Sequence, residues 1–324
     1  MHNTHMNYRS FYQKLLADMH RLGLEVETLE PNELMRCKTT GDRGHERSGW
    51  YVLFDDADLQ VCVFGDWRTG SRQQLTSKQA LSPVERQQVQ ERLRQAHHKR
   101  EQAQRRQWER NAERLNRLWA NSLPIDGNTP ITRYLSSRGI IAPPSEVLRW
   151  ANLTYWHDGQ PIGNYPTMLG AITNPDGGLV SIHRTYLTQG GAKADVPTGK
   201  KLMPACGALA GASIMLHPPK PIQDGTKQVL GLGIAEGIET ALSAHSLFDV
   251  PVWACISAHG IKTFTPPRQI KNIYIFADND ANGVGQEAAN HAAERLTRLG
   301  HVVRIHTPPR VGTDWNDTLI EQVK

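Results

Sequence analysis

The sequence predicts an α/β fold whose C-terminal third is a parallel sheet flanked by helices. Three observations predict it. Apolar runs of strand length alternate with helical stretches over residues 228–305. Glu236-Gly237, Asp278-Asn279-Asp280 and Gly300 punctuate that alternation where turns are needed. Upstream, a strand-rich stretch is set apart by a long run of helix formers. Strand, helix, strand repeated in this way indicates parallel pairing.

From the N-terminus, residues 7–23 (NYRSFYQKLLADMHRLG) read as a short amphipathic helix. Two strand-like runs follow, Trp50–Phe54 and Leu59–Phe64, joined by Asp55-Asp56-Ala57-Asp58 and leading into Gly65-Asp66-Trp67-Arg68-Thr69-Gly70. Ser82-Pro83 then offers an N-cap and a proline at the first helical position, and no further Gly or Pro occurs up to Asn121. At ~1.5 Å per residue this helix would be on the order of 50–60 Å long. Its middle, His97–Gln107, has almost no apolar face. Between Glu85 and Arg117 it carries ten Lys/Arg against five Glu, a surplus of +5 that equals the net charge of the whole chain. Such a helix is either a solvated spacer or a surface that tracks phosphates.

The region 129–217 reads as mixed: a helix around Thr129–Arg138, then strands at Thr167–Ile172, Leu179–Leu187 and Ser213–Leu216, the first two joined by the turn Asn174-Pro-Asp-Gly-Gly178. His183–Leu187 leads into a Gly-rich basic stretch with Lys193, Lys200 and Lys201. That stretch, with Arg184, suits a phosphate chain or is a mobile solvated loop. It lacks the G-x-x-x-x-G-K-[ST] of a P-loop. The expected boundaries are a small N-terminal α+β module over 1–80, a long basic helix over 81–122, a mixed subdomain over 123–222 and the parallel-sheet domain over 223–324.

At 324 residues the chain is long enough for about two domains of ordinary size. No apolar run approaches the ~18 residues that span a bilayer, and the N-terminus lacks the apolar stretch of a secretory signal, so the expectation is a cytoplasmic protein with no membrane role. Cys37, Cys62, Cys206 and Cys255 form no CxxC pair, which argues against a disulfide framework and leads us to expect no zinc. Cys37, His45 and Cys62 could be remnants of a metal site, but the plainer reading buries Cys62 in a strand and leaves Cys37 and His45 in a loop. The pI near 9.0 hints at a polyanionic partner.

In the C-terminal region the strands are expected at Gln228–Ala235, Val250–Ile256, Asn272–Ala277 and His301–Ile305, with helices at Ile238–Leu247 and Gln286–Leu299. Open α/β sheets place chemistry beyond the carboxyl ends of their strands. Glu236 ends the first strand, Asp278 and Asp280 end the third, and Gly312-Thr313-Asp314-Trp315-Asn316-Asp317 follows the fourth. Carboxylates crowded at one edge repel unless they share cations, and hard oxygen donors favour Mg²⁺ or Mn²⁺. Metal-assisted phosphoryl or nucleotidyl transfer is the chemistry such a site performs.

These residues resemble a Toprim domain, the catalytic fold of bacterial-type primases, topoisomerases and some nucleases. Glu236-Gly237 resembles the family's glutamate motif, Asp278-Asn279-Asp280 its D-x-D metal site, and Gly312–Asp317 the third acidic motif of the primase branch, with Thr313 where a lysine is common. AEGIETALSA and FADNDANGVGQEAA look most like primases of phages, plasmids and other mobile elements. More loosely, 131–217 and GWYVLF…FGDWRTG are similar to the segments that precede the domain there. The Cys-rich zinc ribbon of replicative members has no counterpart in ligand pattern, and no Walker motif occurs. The resemblance implies a DNA primase that makes short primers on a single-stranded DNA template from NTPs, in which Glu236, Asp278 and Asp280 position two divalent ions, Asp314 and Asp317 support a metal or its waters, and a separately encoded replicative helicase unwinds. Arg184, Lys193, Lys200 and Lys201 are candidates for triphosphate or template contacts. A Toprim-type nuclease and a non-catalytic DNA-binding or replisome adaptor are the competing readings.

Overall fold

The computed structural model describes residues 8–42, 47–56, 59–78, 81–141, 146–224 and 226–323. The chain packs as two units, 1–106 and 107–324.

In the first unit, α1 (Tyr8–Arg21) is followed by β1 (Leu24–Glu25), β2 (Leu34–Thr39), β3 (Gly49–Asp56), β4 (Leu59–Asp66) and β5 (Ser71–Thr76), which pair antiparallel in that order. The period-2 alternation of strand side chains gives this sheet two faces. On one, Tyr51, Leu53, Cys62 and Phe64 pack with Phe11, Leu15 and Met19 of α1. On the other, Trp50, Val52, Val61 and Val63 pack with Val89, Leu93 and Ala96 of the long helix α2 (Pro83–Ala120). Cys37 therefore sits buried in β2, in contrast to the loop expected from sequence, because its flanking Arg36 and Lys38 hide the alternation of Met35, Cys37 and Thr39. Burial pushes its thiol up to about 11. His45 and part of the expected 55–58 turn lie outside the described residues.

The unit boundary falls inside α2, where residues 101–110 are all exposed, as the absence of an apolar face there requires. Past it, Leu115 packs on Leu169 and Ile182, and the Asn111 side-chain amide donates to the Ala205 carbonyl at 2.8 Å.

The second unit continues with β6 (Leu123–Pro124), α3 (Pro130–Ser136), β7 (Leu148–His157), β8 (Gln160–Thr173), β9 (Leu179–Tyr186) and β10 (Lys200–Leu202); these strands form an antiparallel sheet in the order β10-β9-β8-β7-β6. Thr129 caps α3 in a reciprocal box with Thr132. Ser213–Leu216 is not a strand: Ser213 bridges Thr173 of this sheet, and Ile214 bridges Ala254 of the next. Bounded by Gly207–Gly211 and Pro218-Pro219, the segment is too short to do more than join the two.

The last part holds β11 (Lys220–Asp224), β12 (Lys227–Ala235), α4 (Ile238–Phe248), β13 (Val252–Ala254), α5 (Ala258–Thr263), β14 (Asn272–Phe276), α6 (Val284–Arg298), β15 (Val302–His306) and α7 (Trp315–Val323). β12 pairs parallel with β14 and with β13, and β14 with β15; β11 joins antiparallel. Ile234, Ile273, Ile275 and Phe264 fill the core with Ala288, Ala289 and Ala292 of α6, while α4 packs its Ile238, Ala241 and Leu242 with Ile214, Phe276 and Trp315. The expected α/β fold with a parallel sheet at the C-terminus is thus present, with its strand ends at one edge.

Candidate active site

Each acid owes its position to a strand end. β12 stops at Ala235, so Glu236 is the first residue past the sheet, and Gly237 then caps α4 in extended conformation. β14 stops at Phe276, which carries Asp278 and Asp280 past the same edge. Asp314 precedes α7 and is its cap: its Oδ1 accepts from the backbone amides of Asn316 (2.8 Å) and Asp317 (2.9 Å), while Asp317 Oδ2 accepts from the Asp314 amide (3.1 Å). This reciprocal arrangement gives Asp317 a structural task that spacing alone does not reveal.

A cavity of about 190 Å³ opens at this edge, and Glu236, Asp278 and Asp314 line it; Asp280 and Asp317 do not. Arg138, Lys193, Lys200 and His183 line the same cavity, and so does Glu239. The basic candidates therefore split. His183 and Lys200 share one face of the β9–β10 pair, whereas Arg184 and Lys201, directly opposite each other in register, take the other. There Arg184 donates to the Tyr186 hydroxyl (2.9 Å) and the Leu202 carbonyl (2.8 Å), and Lys201 donates to the Trp156 carbonyl (2.6 Å) above the Tyr155 ring. Lys200 and Lys201 are strand residues, not members of a mobile loop, because β10 adds to the edge of β9.

The charges at the cavity differ in kind. Burial, then the neighbouring charges of Asp314, Glu236 and Asp280, push the Asp278 carboxyl up to about 7, and its Oδ1 is buried with no hydrogen-bond partner. Glu236 is raised by burial and by Asp280. Burial also holds His183 down at about 4, helped by the Lys200 ammonium, and its Nδ1 has no partner. Lys193 is lowered by burial and by Lys200 and Arg138.

The sequence reading missed four residues here. Glu239, on the first turn of α4, is 5% exposed and accepts from Lys200 Nζ at 2.8 Å and from the Tyr134 hydroxyl at 2.7 Å. Burial opposes its ionisation, yet Lys200 and the two hydrogen bonds hold it well below the usual carboxylate range, at about 2. Arg138 donates to Asn316 Oδ1 (3.0 Å), Asn316 Nδ2 returns a bond to the Arg138 carbonyl (2.9 Å), and Asn316 is fully buried. Of these, Asn316 lay inside a motif the sequence singled out, Gly312–Asp317, and Glu239 inside AEGIETALSA.

Among the described residues no three His, Cys, Asp or Glu side chains stand together as a ready metal site. The donor chemistry nonetheless fits a hard divalent cation. The lining acids are all oxygen donors, and Asp278 offers an orphaned buried oxygen whose charge is unfavourable without a cation.

Residues 231–324 match the Toprim domain, and 109–213 match a domain of unknown function (DUF7146). No curated protein matches the chain. Among solved structures, the chain is similar to a DNA primase domain from Pseudomonas aeruginosa (15% identity, 59% of this chain and 67% of that one, TM-score 0.40). It is also similar to the Aquifex aeolicus primase with its zinc-binding and RNA polymerase domains (15%, 94% and 79%, 0.42). The primase fragment of the bacteriophage T7 primase-helicase is a third (17%, 62% and 76%, 0.39). The segment that carries Glu236, Asp278, Asp280, Asp314 and Asp317 is a Toprim domain.

Proposed function

We propose that the protein is a DNA primase, a nucleotidyltransferase that joins nucleotides into short primers on single-stranded DNA. The observation that carries this reading is the convergence, in one small cavity, of crowded carboxylates and of cations. Carboxylates alone suit a metal, and cations alone suit an anion; together they suit a metal-bound polyphosphate. Glu236, Asp278 and Asp280 would hold the ions, two in number, of Mg²⁺ or Mn²⁺, with Asp314 supporting them or their waters. Bound there, such ions supply the charge that brings a 3′-hydroxyl to an α-phosphate and offsets the charge of departing pyrophosphate. Asp314 also fixes the loop by capping α7, so Asp317 contributes as the other half of that cap. Lys193, Lys200 and Arg138 would bind the phosphate chain, while Arg184 and Lys201, held on the far face, support β10 and the strands beside it.

The first unit would contribute template contacts through the exposed Trp67. Trp67 stacks on Trp50 with ring centroids 5.6 Å apart, and the exposed Arg36 guanidinium lies 4.9 Å from the Trp67 ring. Bases stack on such rings with little regard to sequence. In this reading the activity serves replication of a phage, plasmid or integrative element, in the cytoplasm and beside a separately encoded helicase; the resemblance of AEGIETALSA and FADNDANGVGQEAA to mobile-element primases supports it. No helix of the described residues is long and apolar enough to cross a membrane.

Primer synthesis from labelled NTPs on mixed-sequence single-stranded DNA, with Mg²⁺ or Mn²⁺, tests this reading against the Asp278→Ala/Asp280→Ala double variant. Short products from the wild type alone support it. Metal-dependent shortening of the DNA without synthesis would favour the nuclease, and neither activity, alongside unchanged DNA binding, the adaptor.

A further inference from the structure

The acids at the strand ends fall into two kinds. Asp278 keeps an unpartnered buried oxygen, whereas Glu239, three residues after Glu236, has both of its oxygens engaged. Lys200 takes Oε2 and the Tyr134 hydroxyl takes Oε1. The partners come from distant parts of the chain, 39 and 105 residues away, so the pairing is a product of the fold and not of local sequence. Exposure is also divided: the Glu239 side chain is 6% exposed, and the Lys200 side chain 40%. Both line the cavity, but the carboxylate is nearly closed off and serves as the anchor, while the ammonium is the more open end.

We propose that Glu239 is a positioning residue for Lys200, not a ligand of a metal ion, and that Lys200 so held contacts the polyphosphate of the nucleotide. This deepens the primase reading and rests on it for the identity of the polyphosphate. A lysine has four rotatable bonds and β10 is three residues long at a sheet edge, so an unanchored ammonium would lose much of its time in other rotamers. A buried acceptor fixed by a second donor removes that freedom before the ligand arrives. Tyr134 is the second donor, and Arg138, whose guanidinium lies 5.3 Å from the Tyr134 ring, lines the same cavity. Tyr134 and Glu239 thus act as a frame for two cations.

The test uses the full chain, inorganic triphosphate as probe, and two binding measurements: triphosphate by calorimetry, and Mn²⁺ alone by electron paramagnetic resonance. Glu239→Gln and Lys200→Ala are each expected to weaken triphosphate binding about tenfold, the loss of one charge-assisted contact. Glu239→Gln/Lys200→Ala is expected to be no weaker than Lys200→Ala, since Glu239 acts through the lysine. Mn²⁺ affinity should stay within about twofold of wild type in Glu239→Gln and drop in Glu236→Gln. Tyr134→Phe, which removes one bond from the anchor and keeps the ring, should weaken triphosphate binding in the same direction by a smaller factor. It serves as the second variant if Glu239→Gln does not fold. Lost Mn²⁺ binding in Glu239→Gln, additive losses in the double variant, or triphosphate binding that is unchanged, tighter or absent in the wild type would each overturn the inference. The expected binding pattern in a protein that makes no primers would leave the inference standing and remove the primase reading.

Discussion

Asn279 and Thr313 face each other across the acidic edge as an isolated antiparallel pair. The Asn279 amide donates to the Thr313 carbonyl at 3.0 Å, and the Gly312 amide returns a bond to the Asn279 carbonyl at 2.6 Å. This clasp ties the segment between Asp278 and Asp280 to the loop that delivers Asp314. The Asn279 side-chain amide adds a bond to the Pro308 carbonyl at 2.8 Å, while the Thr313 side chain takes no part and donates to the Arg310 carbonyl.

Gly312 is therefore the sensitive position of the loop. Its φ of 80° is left-handed, and a Cβ there would meet no atom within 4 Å, so the cost of Gly312→Ala is conformational alone. We expect a loss of about 1 kcal/mol in urea unfolding, against a change within about 0.5 kcal/mol for Thr313→Val, whose hydroxyl is exposed at its bond. Equal effects of the two would mean that the side chain, not the backbone, holds the clasp.

The raised Asp278 carboxyl makes stability depend on pH in a definite direction. Its value of about 7 in the folded protein exceeds the ordinary 3.8, so the folded state holds the extra proton between those limits. The contribution is complete below pH 3.8 and is lost as pH rises through 7. Asp278→Asn removes this contribution and leaves that of His183. At pH 8 with chelator the variant is expected to unfold on the order of 2 kcal/mol later than wild type. Added Mg²⁺ should close the gap by stabilising wild type alone. A variant less stable than wild type at pH 8 would contradict the crowding of charge at this site.

His183 works in the opposite sense within the same cavity. Its folded value of about 4 lies below the ordinary 6.5, so the unfolded chain binds the extra proton between them. Stability is then complete above pH 6.5 and is lost as pH falls toward 4. His183→Gln should remove this acid-side loss, worth on the order of 2 kcal/mol, and leave the opposite Asp278 slope uncompensated in unfolding curves taken from pH 4 to 7. Because the Asp278 and His183 slopes oppose each other, wild type should show a shallower profile than either variant between pH 4 and 6.5. A steeper wild-type profile would show that at least one of the two groups titrates normally.

The parallel sheet and its acids were legible in the sequence because buried strands of this kind are unbroken apolar runs, and Gln228–Ala235 and Asn272–Phe276 end abruptly at Glu and Asp. Other features were hidden for physical reasons. Lys200 and Lys201 look alike in sequence, yet strand alternation sends one into the cavity and the other over Tyr155. β7 (Leu148–His157) escaped because Arg149, Asn152 and Thr154 interrupt its apolar pattern on a sheet that is only partly covered. Glu239 looked like another helix-surface acid, since its meaning depends on Lys200 and Tyr134, which only the tertiary fold brings to it.

The first unit offers a test independent of the acids. Trp67 is 44% exposed although it stacks on Trp50, and an apolar ring left in water beside Arg36 has a use if bases stack there. Gly65 makes the stack possible: a Cβ on it would approach the Trp50 indole nitrogen to 3.1 Å and the Ser71 carbonyl to 2.1 Å. Trp67→Ala should weaken binding of a single-stranded oligothymidine by about 1–3 kcal/mol, the worth of one stacked base. Arg36→Ala should lower affinity less and reduce the slope of log affinity against log salt by about one phosphate contact. Trp67 lies outside the cluster under α2 but stacks on its buried Trp50, so Trp67→Ala should lower the melting temperature slightly without unfolding the unit, while Arg36→Ala should leave it unchanged. Unchanged oligothymidine binding in Trp67→Ala, with the fold intact, would remove the first unit from the template path and leave the stack as packing alone.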